Sequence, residues 1–302
     1  MNRRSLRELA VRSNRRGLVQ LVTHLGLLGL TAALVVSSRG DPILLWPSML
    51  VHGIVLIFLF APLHECIHRT AFETRRLNDA VAYLAGLLVV LPPTWFRAFH
   101  LTHHRFTQDP ERDPELATPK PERLSDWLLH VSGLPTWWRQ LSMLVKHASG
   151  RAEDPLLRPR ERRRAILEAR LFLLIFGALA GLSLATSSAL LLQLWIVPAL
   201  LGQPFLRLYL LAEHTGCPLV SDMLSNTRTT LTTRLVRRLA WNMSFHSEHH
   251  AYPALPFHLL PEAHRRLRSK IAVLGDGYLR VNAEIVSDLG RDQAQAGSTA
   301  SR

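Results

Sequence analysis

Apolar positions in this chain fall into long uninterrupted blocks, without the period-two alternation of a half-buried strand. Four blocks approach the roughly 20 residues that a helix needs to cross a bilayer: residues 17–36, 42–63, 171–184 and 189–211. Only SSRGD separates the first pair, and about four residues (ATSS) separate the second, so the pattern predicts two membrane hairpins. A fifth apolar run, 80–91, ends at Pro92-Pro93. It is short for a span and is expected to be re-entrant, interfacial or packed on the protein.

Charge orients this layout. Of the 302 residues 48% are hydrophobic, yet the net charge is +13, so basic blocks must alternate with apolar ones. Arg3, Arg4, Arg7, Arg12, Arg15 and Arg16 precede the first span, and Arg158, Arg160, Arg162, Arg163 and Arg164 precede the third. Positive flanks mark the cytosolic side. Both hairpins then return to that side, which becomes the cytosolic face of a bacterial inner membrane, with both termini on it. Basic residues beside apolar runs point to a lipid surface and not to nucleic acid. Three regions follow: a basic N-terminus (1–16), a membrane domain (17–270) and an amphipathic tail (271–302), disordered from Asp292. The first span is expected to be retained as an anchor. Two cysteines, Cys66 and Cys217, give neither a disulfide framework nor a zinc ribbon.

Histidines carry the candidate chemistry. Eight of the fifteen fall in three groups: His64 and His68 in HECIH; His100, His103 and His104 in HLTHH; His246, His249 and His250 in HSEHH. Positions i, i+3 and i+4 share one helix face, so each group projects its imidazoles together at the cytosolic end of a hairpin. HECIH alone matches the H-E-x-x-H of a helical zinc peptidase, but that reading leaves two H-x-x-H-H groups without purpose. A metal transporter would line its spans with polar residues, and these spans hold mainly His24 and His52. The solitary His24, His52, His130, His147, His258 and His264 are read as structural. Eight imidazoles exceed one tetrahedral ion and suit two; imidazole itself accepts iron, copper or zinc.

The three groups together resemble the membrane fatty-acid desaturase superfamily, which includes hydroxylases and carotenoid ketolases. HLTHHRFTQDPERDPE is similar to its second histidine box and WNMSFHSEHHAYPALPFHLLP to its third. The resemblance spans roughly residues 45–270. It implies an all-α integral membrane protein, with four transmembrane helices in two hairpins and a cytosolic helical cap holding a non-haem di-iron site. The ligands it implies are His64, His68, His100, His103, His104, His246, His249 and His250, with His214 as a ninth. Some members carry Asn one helical turn before that ninth histidine; here the position is Leu210. Glu65, Asp109, Asp113, Glu213, Asn242 and Glu248 are the candidates for orienting the ligating rings. The implied activity is O2-dependent oxidation of a lipid or acyl chain at two Fe ions. Desaturation leads, and hydroxylation or ketolation of a lipid, hydrocarbon or carotenoid is the alternative. No haem-module, iron–sulfur or flavin pattern accompanies the boxes, so the electrons are expected from a separate ferredoxin- or cytochrome-type donor. The 158–164 arginine run could dock that donor or contact phospholipid.

Overall fold

The computed structural model describes residues 8–300, with side chains through Leu289. Arg3, Arg4 and Arg7 of the basic N-terminus lie outside that range. Two compact units share the chain: Val11–Leu101 with Thr136–Leu206, and Met1–Ala10 with Thr102–Pro135 and Arg207–Arg302.

The elements run α1 (Asn14–Ser37), α2 (Pro42–Ile57), α3 (Phe60–His68), α4 (Arg75–Leu88), α5 (Pro93–Phe106), α6 (Leu124–Ser132), α7 (Leu134–Ala148), α8 (Pro159–Ala185), a π-helical turn (Leu192–Ile196), α9 (Val197–His214), α10 (Met223–Asn226), β1 (Thr229–Leu231), α11 (Arg234–Leu239), α12 (His246–Ala251), α13 (Leu260–Leu267), β2 (Leu274–Asp276) and α14 (Tyr278–Ala300). The only departure from an all-helical chain, among the described residues, is a two-stranded parallel sheet pairing Thr229 with Leu274 and Leu231 with Asp276. The backbone of α14 covers most of the tail expected to be disordered from Asp292.

Among the described residues, four rods are long and apolar enough to cross a membrane: Asn14–Ser37, Pro42–His68, Pro159–Ala185 and Leu192–His214. They coincide with the four predicted blocks and make this an integral membrane protein. Two details differ from the sequence reading. Helix α8 begins well before the apolar block, so Arg160 and Arg162–Arg164 occupy its first turns. The fifth run becomes α4, joined to α5 through a bend of 101° at the Pro92-Pro93 break, where proline cannot continue the helical ladder.

In the first unit, polar side chains inside the spans tie helices together. A carbonyl can only accept, so His52 Nε2 donates to Leu194 O of the π turn (3.0 Å) and its Nδ1 lies 2.8 Å from Thr31 Oγ1. His24 Nε2 likewise donates to Val55 O at 3.0 Å. These lone histidines are structural, as expected, each hydrogen bond between spans contributing on the order of 1 kcal/mol. Gly53 and Gly202 bring α2 and α9 into backbone contact: a Cβ on Gly202 would stand 2.1 Å from Gly53 O. The start of α5 is fixed by Glu168, which accepts from Thr94 N (3.0 Å) and Thr94 Oγ1 (2.6 Å) at the positive end of the helix. Trp95 Nε1 adds a bond to Asp154 at 2.6 Å.

Candidate metal centre

The second unit gathers four imidazoles tip to tip. His103 Nε2 lies 3.2 Å from His214 Nε2, His246 Nε2 lies 3.3 Å from the same atom, and His250 Nε2 lies 3.1 Å from His246 Nε2. All four rings are buried. What faces their outer nitrogens decides which atoms hold protons. Asp113 Oδ1 is 2.9 Å from His103 Nδ1, and Glu213 Oε1 is 3.3 Å from His246 Nδ1. Thr107 Oγ1 donates to His103 O at 2.7 Å, so toward His250 Nδ1, 3.0 Å away, it can only accept. The His103 and His250 rings are thereby set with Nδ1 toward an acceptor and Nε2 turned inward, beside the Nε2 atoms of His214 and His246. Lone pairs facing at such distances repel unless a cation lies between them. Two ligands bound at about 2.1 Å to one ion stand about 3.0 Å apart at a right angle and about 4.2 Å apart when opposite, and the observed spacings fall at the cis end of that range. Burial, with the neighbouring His104, His246, His214 and His103 rings, holds the His250 imidazole well below its ordinary range, in the neutral form a ligand requires. His103, His214 and His250 form a donor set that could hold a metal ion, with His246 Nε2 beside two of them.

Local sequence builds this arrangement. After α5, Gln108 takes a left-handed conformation (φ 63°) that reverses the chain. The following Asp-Pro turn closes on Asp109, whose Oδ1 accepts from Glu111 N and Arg112 N, each at 3.1 Å. Asp113 returns to His103, and its Oδ2 accepts from Gln108 N at 2.8 Å. Asn226 donates to Thr107 O (3.1 Å) and Gln108 to His214 O (2.8 Å), joining the second box to the end of α9. Lys120 Nζ reaches His214 O at 3.2 Å as well. Helix α12, which carries the third box, is docked through its polar residues. Ser247 Oγ donates to Thr227 O at 2.5 Å, while Glu248, fully buried, accepts from Thr229 Oγ1 and His264 Nδ1.

The remaining box histidines also cluster within their own units. In the first unit the His64 and His100 ring centroids are 4.3 Å apart, with His68 at 5.1 Å from His64 and 5.0 Å from His100. Helix α3 ends immediately after His68 because Arg69 adopts a left-handed cap (φ 63°). In the second unit His104 stacks on His250 at 4.0 Å and meets His249 edge-on at 4.7 Å.

The carboxylate and amide candidates separate clearly. Asp113 and Glu213 face ligand-type rings. Glu248 braces α12 from behind. Glu65 is buried and accepts from Thr70 Oγ1 at 2.7 Å, at the end of α3. Asp109 faces Arg112, whose Nε is 2.8 Å away, and serves the surface turn. Asn242 donates to Phe257 O at 3.1 Å and holds the loop that follows α12. Sequence reasoning missed Thr107, Gln108, Asn226, Thr229 and the bracing role of His264. Thr107 alone had a local signal: it lies one helical turn after His103, on the same face.

Comparison with known proteins agrees with this geometry. Residues 41–282 match the family model for fatty acid desaturase. The chain is 28% identical over 247 residues to a chloroplastic omega-3 fatty acid desaturase of Glycine max, covering 73% of this chain and 53% of the relative. It is 25% identical to a chloroplastic sn-2 acyl-lipid omega-3 desaturase (ferredoxin) of Helianthus annuus, covering 78% and 58%. It is 27% identical to a dihydrorhizobitoxine desaturase of Bradyrhizobium elkanii, covering 73% and 65%. The chain thus spans between about half and two thirds of the length of these relatives. With four membrane spans, three histidine boxes and a family match over most of its length, the chain belongs to the fatty acid desaturase family.

Proposed function

We propose that this chain is an O2-dependent oxidase of a lipid acyl chain that introduces a carbon–carbon double bond at a non-haem di-iron centre. The observation that carries the proposal is the convergence of four Nε2 atoms, with Asp113 against the outer nitrogen of His103, Thr107 against that of His250 and Glu213 near that of His246. On this reading His103, His214, His246 and His250 hold one of the two irons. Bound iron would supply oxygen activation and the redox power to remove hydrogen from an unactivated carbon.

The protein's own contribution is positional. Asp113, Glu213 and Thr107 fix ring tautomers and raise the basicity of the ligating nitrogens. Burial excludes bulk water from the four rings. A relative whose name includes ferredoxin supports an external donor of the ferredoxin or cytochrome type. Arginine-rich flanks before the first and third spans support a cytosolic site in a bacterial inner membrane.

Metal analysis of the purified protein, paired with lipid profiling of expressing cells, tests the reading. About two irons per chain and a new double bond are expected. One zinc with unchanged lipids would overturn it, and an oxygenated lipid would move the assignment to hydroxylation.

A further inference from the structure

Helix α7 leaves one apolar stripe uncovered. Trp138 is 74% exposed, Leu141 45% and Val145 58%. Their spacing, i, i+3 and i+7, gathers them within about 60° of arc. The rest of the helix is sorted as sharply. Thr136, Leu144 and His147 are buried, and Leu144 packs with Ala169 and Phe172 of α8, with Trp137 and Ala148 against the same cluster. Arg139 and Lys146, seven residues apart, run along the other edge of the stripe and are exposed. Around its circumference the helix thus presents a face packed on protein, an apolar face and a basic face. An amphipathic helix divided in this way lies in the plane of a bilayer interface, and Trp is enriched at that level.

Helix α8 fixes the depth. Arg170 Nε donates to Ala148 O, at the last residue of α7, at 2.9 Å, and Leu171 opens the apolar block of the span. At 1.5 Å per residue, residues 171–184 reach only about 20 Å, whereas a hydrocarbon core is roughly 30 Å thick. The helix ends at Ala185, so the missing length lies at the other end, toward Leu167, which is 56% exposed. The exposed stripe of α7 stands at that level. Beyond α7 the chain continues to Asp154, which accepts from Trp95 Nε1 at 2.6 Å, and Ala152 and Leu157 pack with Trp95 and Ala98 of α5. The seat of α7 therefore bears on the helix that carries His100.

We propose that α7 is a membrane-interface helix: Trp138, Leu141 and Val145 enter the leaflet on the arginine-rich side of the membrane, and Arg139 and Lys146 engage the phosphates of its anionic lipids. This surface is separate from the metal groups and does not depend on the reaction. Nitroxide labels on L141C, V145C and K146C test it, in the full-length protein in nanodiscs of phosphatidylcholine with phosphatidylglycerol that hold a single copy. Relative accessibility to oxygen and to a water-soluble nickel chelate reports depth. Cys66 and Cys217 are buried, and wild type treated with the label gives the background. Labels at 141 and 145 are expected about 5–10 Å below the phosphates, with the label at 146 level with them or above. Replacing phosphatidylglycerol with phosphatidylcholine should move the first two toward the surface, and R139Q/K146Q should abolish that dependence. Equal chelate accessibility at the three positions overturns the proposal, because the stripe then faces water. Shielding of 141 and 145 from oxygen and chelate alike overturns it too, because protein then covers them. A depth that ignores lipid charge overturns the assignment of Arg139 and Lys146. Size-exclusion chromatography shows which labelled forms fold, and V145C carries the test if L141C does not.

Discussion

Thr107 Oγ1 gives its proton to the carbonyl of His103 and stands 3.0 Å from His250 Nδ1, so a single hydroxyl links the second histidine box to the third and fixes which nitrogen of His250 is bare. Thr107→Val keeps shape but replaces the acceptor with a methyl group, leaving a buried N–H unsatisfied. The expected outcome is metal binding at the His103–His214–His246–His250 group weakened by about 10–100-fold, with Thr107→Ser close to wild type. Fe2+ or Co2+ titration of the two variants checks this. Equal affinity in Thr107→Val would show that the hydroxyl does not set the tautomer.

His264 and Glu248 form a second long-range pair, behind α12. Glu248 has no solvent exposure, and its carboxylate is held by Thr229 Oγ1 and His264 Nδ1. The His264 ring also packs on Phe245 at 4.9 Å between centroids. His264→Phe preserves that packing while removing the donor. It should cost about 1–3 kcal/mol of stability, the penalty for a buried acceptor losing its partner, read as a lowered thermal midpoint in detergent. A midpoint equal to wild type would mean that Thr229 alone satisfies the carboxylate.

The membrane crossing of α2 and α9 offers a test outside the metal groups. Ala at Gly202 would put a methyl carbon 2.1 Å from Gly53 O, and Ala at Gly53 would put one 2.0 Å from Pro198 O. Backbone cannot yield as a flexible side chain does. Each substitution should destabilise the protein by at least about 1–3 kcal/mol, measured as loss of monodisperse protein on heating in detergent. Gly29→Ala is the control: its Cβ meets nothing within 4 Å and Ala is the better helix former, so stability should hold or rise.

The spans and the clustering of the box histidines were legible because each is encoded locally. A run of some twenty apolar residues can satisfy its backbone in a bilayer only as a helix, and H-x-x-H-H places three rings on one face whatever lies elsewhere. What orients those rings was not legible. Asp109 and Asp113 look equivalent in QDPERDP, and only the reversal at Gln108 sends one to His103 and the other to Arg112. Asn226 and Thr229 sit in NTRTT with no chemical signature; their partners, Thr107 and Glu248, are 119 and 19 residues away. His264 read as solitary because its carboxylate partner lies on another helix.

Metal removal should act unevenly along the chain. A ligand that binds only the folded state stabilises it by about 2.7 kcal/mol when present at 100 times its dissociation constant, and that stabilisation is lost where the donors lie. In the second unit the donors come from the end of α5, the end of α9 and α12, all brought together by long-range contacts with little local helix to hold them. After chelation, amide hydrogen exchange should accelerate around residues 102–116, 207–216 and 245–252. The α1–α2 hairpin, which depends on His24, Thr31 and His52 and on no ligand, should keep its protection. His250→Ala should show the faster exchange with or without added Fe2+. Uniform deprotection of hairpin and boxes together would indicate instead that the metal holds the whole fold cooperatively.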